Sequence, residues 1–306
     1  EIGSGLVGSE MCIRDSTLTA PKHDSLDSCK VQCVGPDFVR AFTLAEGATH
    51  VAMLADIRRY AFTLAEVLIT LGIIGVVAAL TMPSLIQHHR EKQTVTALKA
   101  AYSIFSQAFT MAVKDGVQPQ DWGFSDIVAS KDDEGNTHYE NEENAASSKI
   151  LFDTFVKHLQ VAKICQPGDS SCLPTVNKGS FYSGILANGM SFNFIQRSGS
   201  CSSVSGTTPQ LKNICADLTV DIDGPAKGRN AWGKDWFRFH ITKYGLIPKG
   251  TKEDTKWSFE KVCYTTNTAT YNGDYGESCT AWVMYNENTD YLRCKDLSWD
   301  GKHKCR

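Results

Sequence analysis

The chain has 306 residues, 42% of them hydrophobic, and a formal net charge of -3. That length allows one large or two ordinary domains with a real core. The balance excludes a strongly basic face for nucleic acid: from Phe62 onward, 25 Lys and Arg stand against 26 Asp and Glu. No His-Glu-x-x-His, Gly-x-Ser-x-Gly or phosphate-loop motif occurs, so the expectation is that the protein is not an enzyme.

In chain order, the opening "GLVGSEMCIRDS" resembles translated sequencing-adapter strings, and "AFTLAE" occurs twice, at Ala41–Glu46 and Ala61–Glu66. The first copy runs into "GATHVAMLAD", which cannot span a membrane. Residues 1–52 are therefore read as a non-native or spurious leader. "MLADIRRYA", residues 53–61, reads as a short basic leader beginning at Met53.

A long apolar segment follows. From Val67 to Gln87, 21 residues carry no formal charge, which makes about 31 Å of helix, one hydrocarbon thickness. Arg58 and Arg59 precede it, so by the positive-inside rule the N-terminal side stays cytoplasmic and the rest is exported. Gly72, Gly75, Ala78 and Ala79 give it small-residue positions where another helix can approach. Beyond Pro83, the residues Val95, Leu98, Tyr102, Phe105, Phe109 and Val113 form one apolar stripe that ends near Gly116. The expectation is one helix whose first half, 62–87, crosses a membrane and whose second half, 88–116, is amphipathic. Pro83 should kink or loosen it rather than end it. The anomaly is Glu66, a carboxylate at the start of an apolar run, where charges usually have a partner.

"AFTLAEVLITLGIIGVVAALTMP" resembles the N-terminal signal of type IV pilins and type II secretion pseudopilins. The pattern is a small residue, Phe-Thr-Leu, one residue, Glu, then a long apolar helix. The resemblance implies cleavage between Ala61 and Phe62 by a prepilin peptidase, which then N-methylates Phe62. It makes Glu66 the fifth mature residue, the one expected to meet the new amine of a neighbouring subunit, and it places Pro83 at the family's proline position. The family usually has Gly where this chain has Ala61, so slower processing is expected. The implied partners are the peptidase, other pilin or pseudopilin subunits, an inner-membrane assembly platform and, before assembly, lipid; no nucleic acid is expected. The implied location is the inner membrane, single-pass, with a periplasmic or extracellular head.

Residues 117–306 are the expected head. Its eight cysteines, Cys165, Cys172, Cys201, Cys215, Cys263, Cys279, Cys294 and Cys305, are an even set without a Cys-x-x-Cys pair and read as four disulfides in an oxidising compartment. Roughly a hundred connectivities are open to eight cysteines; pairing of sequence neighbours is the simplest. "SKDDEGNTHYENEENAASS" reads as a surface loop, and Lys149–Val161 as a short amphipathic helix. "FYSGILANGMSFNFI" reads as a hairpin about Asn188-Gly189, and "CADLTVDIDG" and "DWFRFHITKYGLIP" as two further strands. The tail from Lys261 reads as irregular structure held by disulfides. The fold class is therefore α+β: a long N-terminal helix packed on an antiparallel sheet, with a disulfide-rich C-terminal region.

Asp221, Asp223 and Asp235 could offer oxygens to Ca²⁺, as some pseudopilins do in a nearby loop; the alternative is Asp-Gly turn chemistry. Two function classes follow: a structural filament subunit, major or minor, or a filament-displayed adhesin or DNA-uptake subunit.

Overall fold

A computed structural model describes residues 63–306 except 115, 136, 140, 175–179, 229, 264–275 and 306. The chain divides into two units, 1–61 and 62–306, and the described residues all lie in the second. The leader residues, Ala61 and Phe62 lie outside the described residues.

Helix α1 runs unbroken from Leu64 to Lys114. Its start carries its own cap. Thr63 donates its backbone N–H and its hydroxyl to Glu66 Oε2, both at 2.8 Å, and the Glu66 N–H donates to Thr63 Oγ1 at 3.2 Å. This is a reciprocal capping box, which satisfies donors that the first turn would leave orphaned. Pro83 lies inside the helix without ending it. The two halves then differ in what they touch. From Leu64 to Arg90 every residue but Ala78 is exposed. From Val95 on, Val95, Leu98, Ala101, Phe105, Ala108, Phe109 and Ala112 are buried, at the spacings of a single helical face.

That buried face meets a six-stranded sheet. Its strands are β3 (Val161–Cys165), β4 (Ser183–Leu186), β5 (Ser191–Gln196), β6 (Ile214–Asp221), β7 (Trp236–Thr242) and β8 (Gly245–Pro248), after a small separate hairpin of β1 (Ser130–Lys131) and β2 (Thr137–His138). The six are antiparallel neighbours in chain order. Helix α2, Glu142–Val156, packs on β5 beside α1. An aromatic cluster joins the layers: Phe105 meets Phe192 edge-on at 5.2 Å, and Phe155 stacks on Phe194 at 4.5 Å. Fully burying such side chains is worth about 1.5–3 kcal/mol each. The fold is α+β, as expected.

Several expectations need correction. Helix α2 begins at Glu142, seven residues before Lys149, inside the stretch read as a loop. The reason is that its buried face opens with polar residues. Asn141 caps the helix by accepting from the Asn144 N–H at 2.7 Å. The Asn144 side chain accepts from Val128 N at 2.9 Å and donates to Val128 O and Tyr139 O at 2.7 and 2.8 Å. Ser147 and Ser148 accept from the Ser125 and Tyr182 backbones. These side chains hold loops, so the apolar stripe starts late. The helix ends at Val156, and Val161 opens β3, a strand that the expected helix concealed. "DWFRFHITKYGLIP" is two strands, because Lys243 and Tyr244 turn the chain between β7 and β8. At Asn188-Gly189 the hairpin forms as expected: Gly189 takes φ +92°, and Asn188 Oδ1 accepts from Met190 N at 3.1 Å.

The four disulfides are Cys165–Cys172, Cys201–Cys215, Cys263–Cys279 and Cys294–Cys305, all between sequence neighbours. Beyond β8 the described chain is mostly turns around one short helix, α3, Thr280–Asn286. Its centre is a second aromatic stack, in which Phe259 lies on Trp282 at 4.0 Å and Trp299 is 5.2 Å away.

Candidate functional site

The first functional feature is the free half of α1. An 18-residue window within this helix has mean hydropathy 2.3 and no burial, so it is long and apolar enough to cross a membrane. The large side chains of Leu68, Ile69, Leu71, Ile73, Ile74, Val76, Val77 and Leu80 are exposed, although apolar groups gain from leaving water. A Cβ added at Gly72 or Gly75 would meet nothing within 4 Å, so the small-residue face is also unoccupied. Glu66 stands at the cytoplasmic end expected of this helix, and its carboxylate is bonded within the chain to Thr63. The Thr-x-x-Glu signal was present in the sequence as a capping box. Its reading as a subunit contact therefore has a local alternative.

The second feature is the sheet face turned away from α1. Residues two apart share a face of a strand. Phe237, Phe239 and Ile241 face the helices, so Arg238 and His240 face the other way, and the register places Asp217 opposite His240 and Thr219 opposite Arg238. This face is polar yet buried, because the C-terminal segment covers it. Two clusters result. In one, Asp217 Oδ2 accepts from Arg197 Nε and Nη2 at 2.9 and 2.7 Å. Asp217 Oδ1 lies 2.7 Å from His240 Nδ1, and His240 Nε2 lies 3.2 Å from Asp254 Oδ2. In the other, Glu277 bonds both Arg238 and Lys249, and the Lys249 ammonium also sits 3.7 Å from the centre of the Trp257 ring.

Burial alone would push His240 down, but Asp217 and Asp254 outweigh it and hold the imidazole above its ordinary value. Burial would likewise raise Asp217 and Asp254, but Arg197 and His240 hold the first well below the usual range and His240 holds the second below it. The His240 contribution is complete below the unfolded value of about 6.5 and is lost as pH rises through its raised folded value. The aspartate contributions are present above about pH 4 and are lost as pH falls through their depressed values.

Neither cluster was legible as a site. The residues come from five separated segments and share no motif. The one available signal was the alternation in "CADLTVD" and "WFRFHIT", which marks a polar strand face but not one that the tail covers.

The predicted calcium ligands meet at the end of β6. Asp223 and Asp235 flank Gly228, where a Cβ would lie 2.5 Å from Asp223 Oδ2 and 2.8 Å from Asp235 Oδ2; its φ of +68° also favours glycine. Asp221 Oδ1 accepts from Gly224 N at 3.1 Å, which is the turn chemistry weighed above, while Asp221 Oδ2, Asp223 Oδ1 and Asn230 Oδ1 are buried without a hydrogen bond among the described residues. Such an all-oxygen set suits a hard cation. Among the described residues, however, no three His, Cys, Asp or Glu side chains are arranged to hold a metal ion. Calcium at these aspartates is therefore a proposal.

Burial, then the Asp223 side chain, pushes the Asp221 carboxyl up to about 7. An acid raised in the folded state costs stability progressively as pH climbs from about 4 to 7. Asp221→Asn keeps the Oδ1 acceptor and removes that charge. In EDTA it should raise the unfolding free energy at pH 8 by about 1 kcal/mol or more and change little at pH 4, read by urea titration. Bound calcium would reverse the pattern by stabilising wild type and not the variant.

A model of a family of unknown function, DUF6613, matches residues 84–288. That is more than half of the chain. The chain belongs to this family. No curated protein and no solved structure matches it. The DUF6613 match begins one residue after Pro83. It takes in the packed half of α1, the sheet and both charge clusters, and it leaves out α1 up to Pro83, which is most of the exposed half, and the Cys294–Cys305 loop.

Proposed function

We propose that this DUF6613 member is a structural subunit, pilin or pseudopilin, of a type IV pilus or type II secretion-like filament. The observation that carries the reading is the division of labour along α1. One continuous helix buries its second half in the head and leaves its first half apolar and exposed, with Glu66 capping its start. In this reading the free half lies in the inner membrane until neighbouring subunits replace lipid around it, with the head on the outer side, where its disulfides form. In this reading the prepilin peptidase cuts at Ala61–Phe62, and an inner-membrane platform inserts the processed subunit. The exposed helix, rather than the head, carries assembly. A binding subunit, an adhesin or DNA-uptake tip carried on the same anchor, is the second reading, and a cavity in the head favours it.

The test is the sheared surface fraction of cells expressing the chain. The processed protein should appear there in pelletable filaments and disappear when the assembly ATPase is deleted. Protein confined to the membrane in both strains would contradict the proposal.

A further inference from the structure

A cavity of about 310 Å³ opens beside the loop closed by Cys201–Cys215, with Arg197, Asp217 and His240 in its wall and Val204, Lys256 and Trp257 about them. Its sides are stapled together. Thr255 Oγ1 and Lys256 N both donate to Ser205 O at 3.0 Å, Thr207 N donates to Glu253 O at 3.2 Å, and Ser205 Oγ bonds Asp254. At Gly206 the two segments come so close that a Cβ would lie 2.1 Å from Glu253 O.

The polar groups of the wall are not equally committed. Both Asp217 oxygens are engaged, by Arg197 and by His240. Arg197 uses Nε and Nη2 on one Asp217 oxygen, its side chain is 28% exposed, and a guanidinium has further N–H donors on its other edge. Lys256 is exposed, and among the described residues its ammonium makes no hydrogen bond or ion pair. The charges also leave a surplus. Both His240 ring nitrogens lie against carboxylate oxygens, which only accept, so the ring sits there as a two-donor imidazolium; with Arg197 and Lys256 it faces two carboxylates, Asp217 and Asp254, and one positive charge is unmatched. Arg197 and Lys256 both line the cavity, and a guanidinium together with an ammonium suits a planar anion. Trp257, fixed by Lys249 at 3.7 Å, and Val204 add apolar surface, and the volume is at the small end for ligand pockets.

We propose that this cavity binds a small monoanionic acid in which a carboxylate is joined to a flat apolar group, the carboxylate lying between Arg197 and Lys256 and the flat group against Trp257. A free aromatic acid and the C-terminal residue of a peptide share this chemistry.

The experiment is calorimetric titration of the detergent-solubilised full chain with benzoate, with the N-acetylated tripeptide Gly-Gly-Phe and with its C-terminal amide. Saturable binding with Kd of about 1 mM or tighter is expected for at least one acid. Benzoate alone binding assigns the site to free acids, the peptide alone to chain termini, and both binding supports the shared chemistry. Lys256→Ala removes an exposed side chain and should melt like wild type, yet bind about tenfold more weakly, the worth of one charge-assisted contact. The proposal is overturned if neither acid saturates by about 10 mM, if the amide binds as well as the acid, or if Lys256→Ala binds unchanged.

Discussion

Glu66→Ala and Glu66→Gln are both expected to leave the protein inserted and cleaved but absent from the sheared filament fraction. The pair of variants separates two roles that coincide in one carboxylate. The Glu66 side chain accepts from Thr63 N and Thr63 Oγ1 and so closes the first turn of α1. Glutamine has an oxygen that can keep this cap and carries no charge; alanine loses both. A cap is worth about 0.5–2 kcal/mol, too little to unmake a helix of 51 residues. A charge that must meet the new amine of a neighbour inside an apolar filament core is a different matter, because a half-made buried pair costs about 3–5 kcal/mol. That penalty recurs at every insertion. Removing a charge from the apolar run should also make membrane insertion slightly easier. If Glu66→Gln assembles normally while Glu66→Ala does not, the residue is a helix cap and the subunit-pairing role is wrong.

Glu277→Ala is the substitution expected to cost the head most. Its carboxylate bonds Arg238 and Lys249, and the three side chains are 2%, 6% and 0% exposed. Burial would raise the Glu277 carboxyl, but Arg238 and Lys249 outweigh it and hold it below its usual range. Its contribution is therefore present above the unfolded value and is lost as pH falls through the folded one. Removing it leaves two buried cations without a counter-charge, at about 3–5 kcal/mol, a large part of the 5–15 kcal/mol that ordinarily separates folded from unfolded protein. The control is Lys252→Ala. Lys252 pairs with Asp300, but their side chains are 57% and 76% exposed, so its loss should cost about 1 kcal/mol or less. Urea unfolding at pH 7 measures both. Equal, small effects would mean that the buried cluster relaxes toward water.

What was legible in the sequence had local causes. The helix, its turn from apolar to amphipathic near Pro83, the Asn188-Gly189 hairpin and β6 all follow from periodicity or turn chemistry written in adjacent residues. The start of α2 was not legible, because Asn144, Ser147 and Ser148 are buried to bind loop backbones and look like surface residues in one dimension. β3 was lost because Val161 reads as the end of a helix. The charge clusters were hidden for a deeper reason: Arg238 and His240 alternate with Phe237, Phe239 and Ile241 as a solvent-facing strand edge would, and only the return of Asp254 and Glu277 over the sheet buries them. The cavity likewise depends on Arg197 and Lys256, far apart in the chain, which both line it beside a disulfide-closed loop.

The central claim is that the free half of α1 is a processed assembly helix, and the mass of the mature N-terminus tests it most directly. Protein extracted from membranes of cells containing a prepilin peptidase should yield an N-terminal peptide beginning at Phe62 and carrying one N-methyl group. The same chain made without the peptidase should keep residues upstream of Ala61. A mature start at any other residue, or a start that does not depend on the peptidase, would contradict the account.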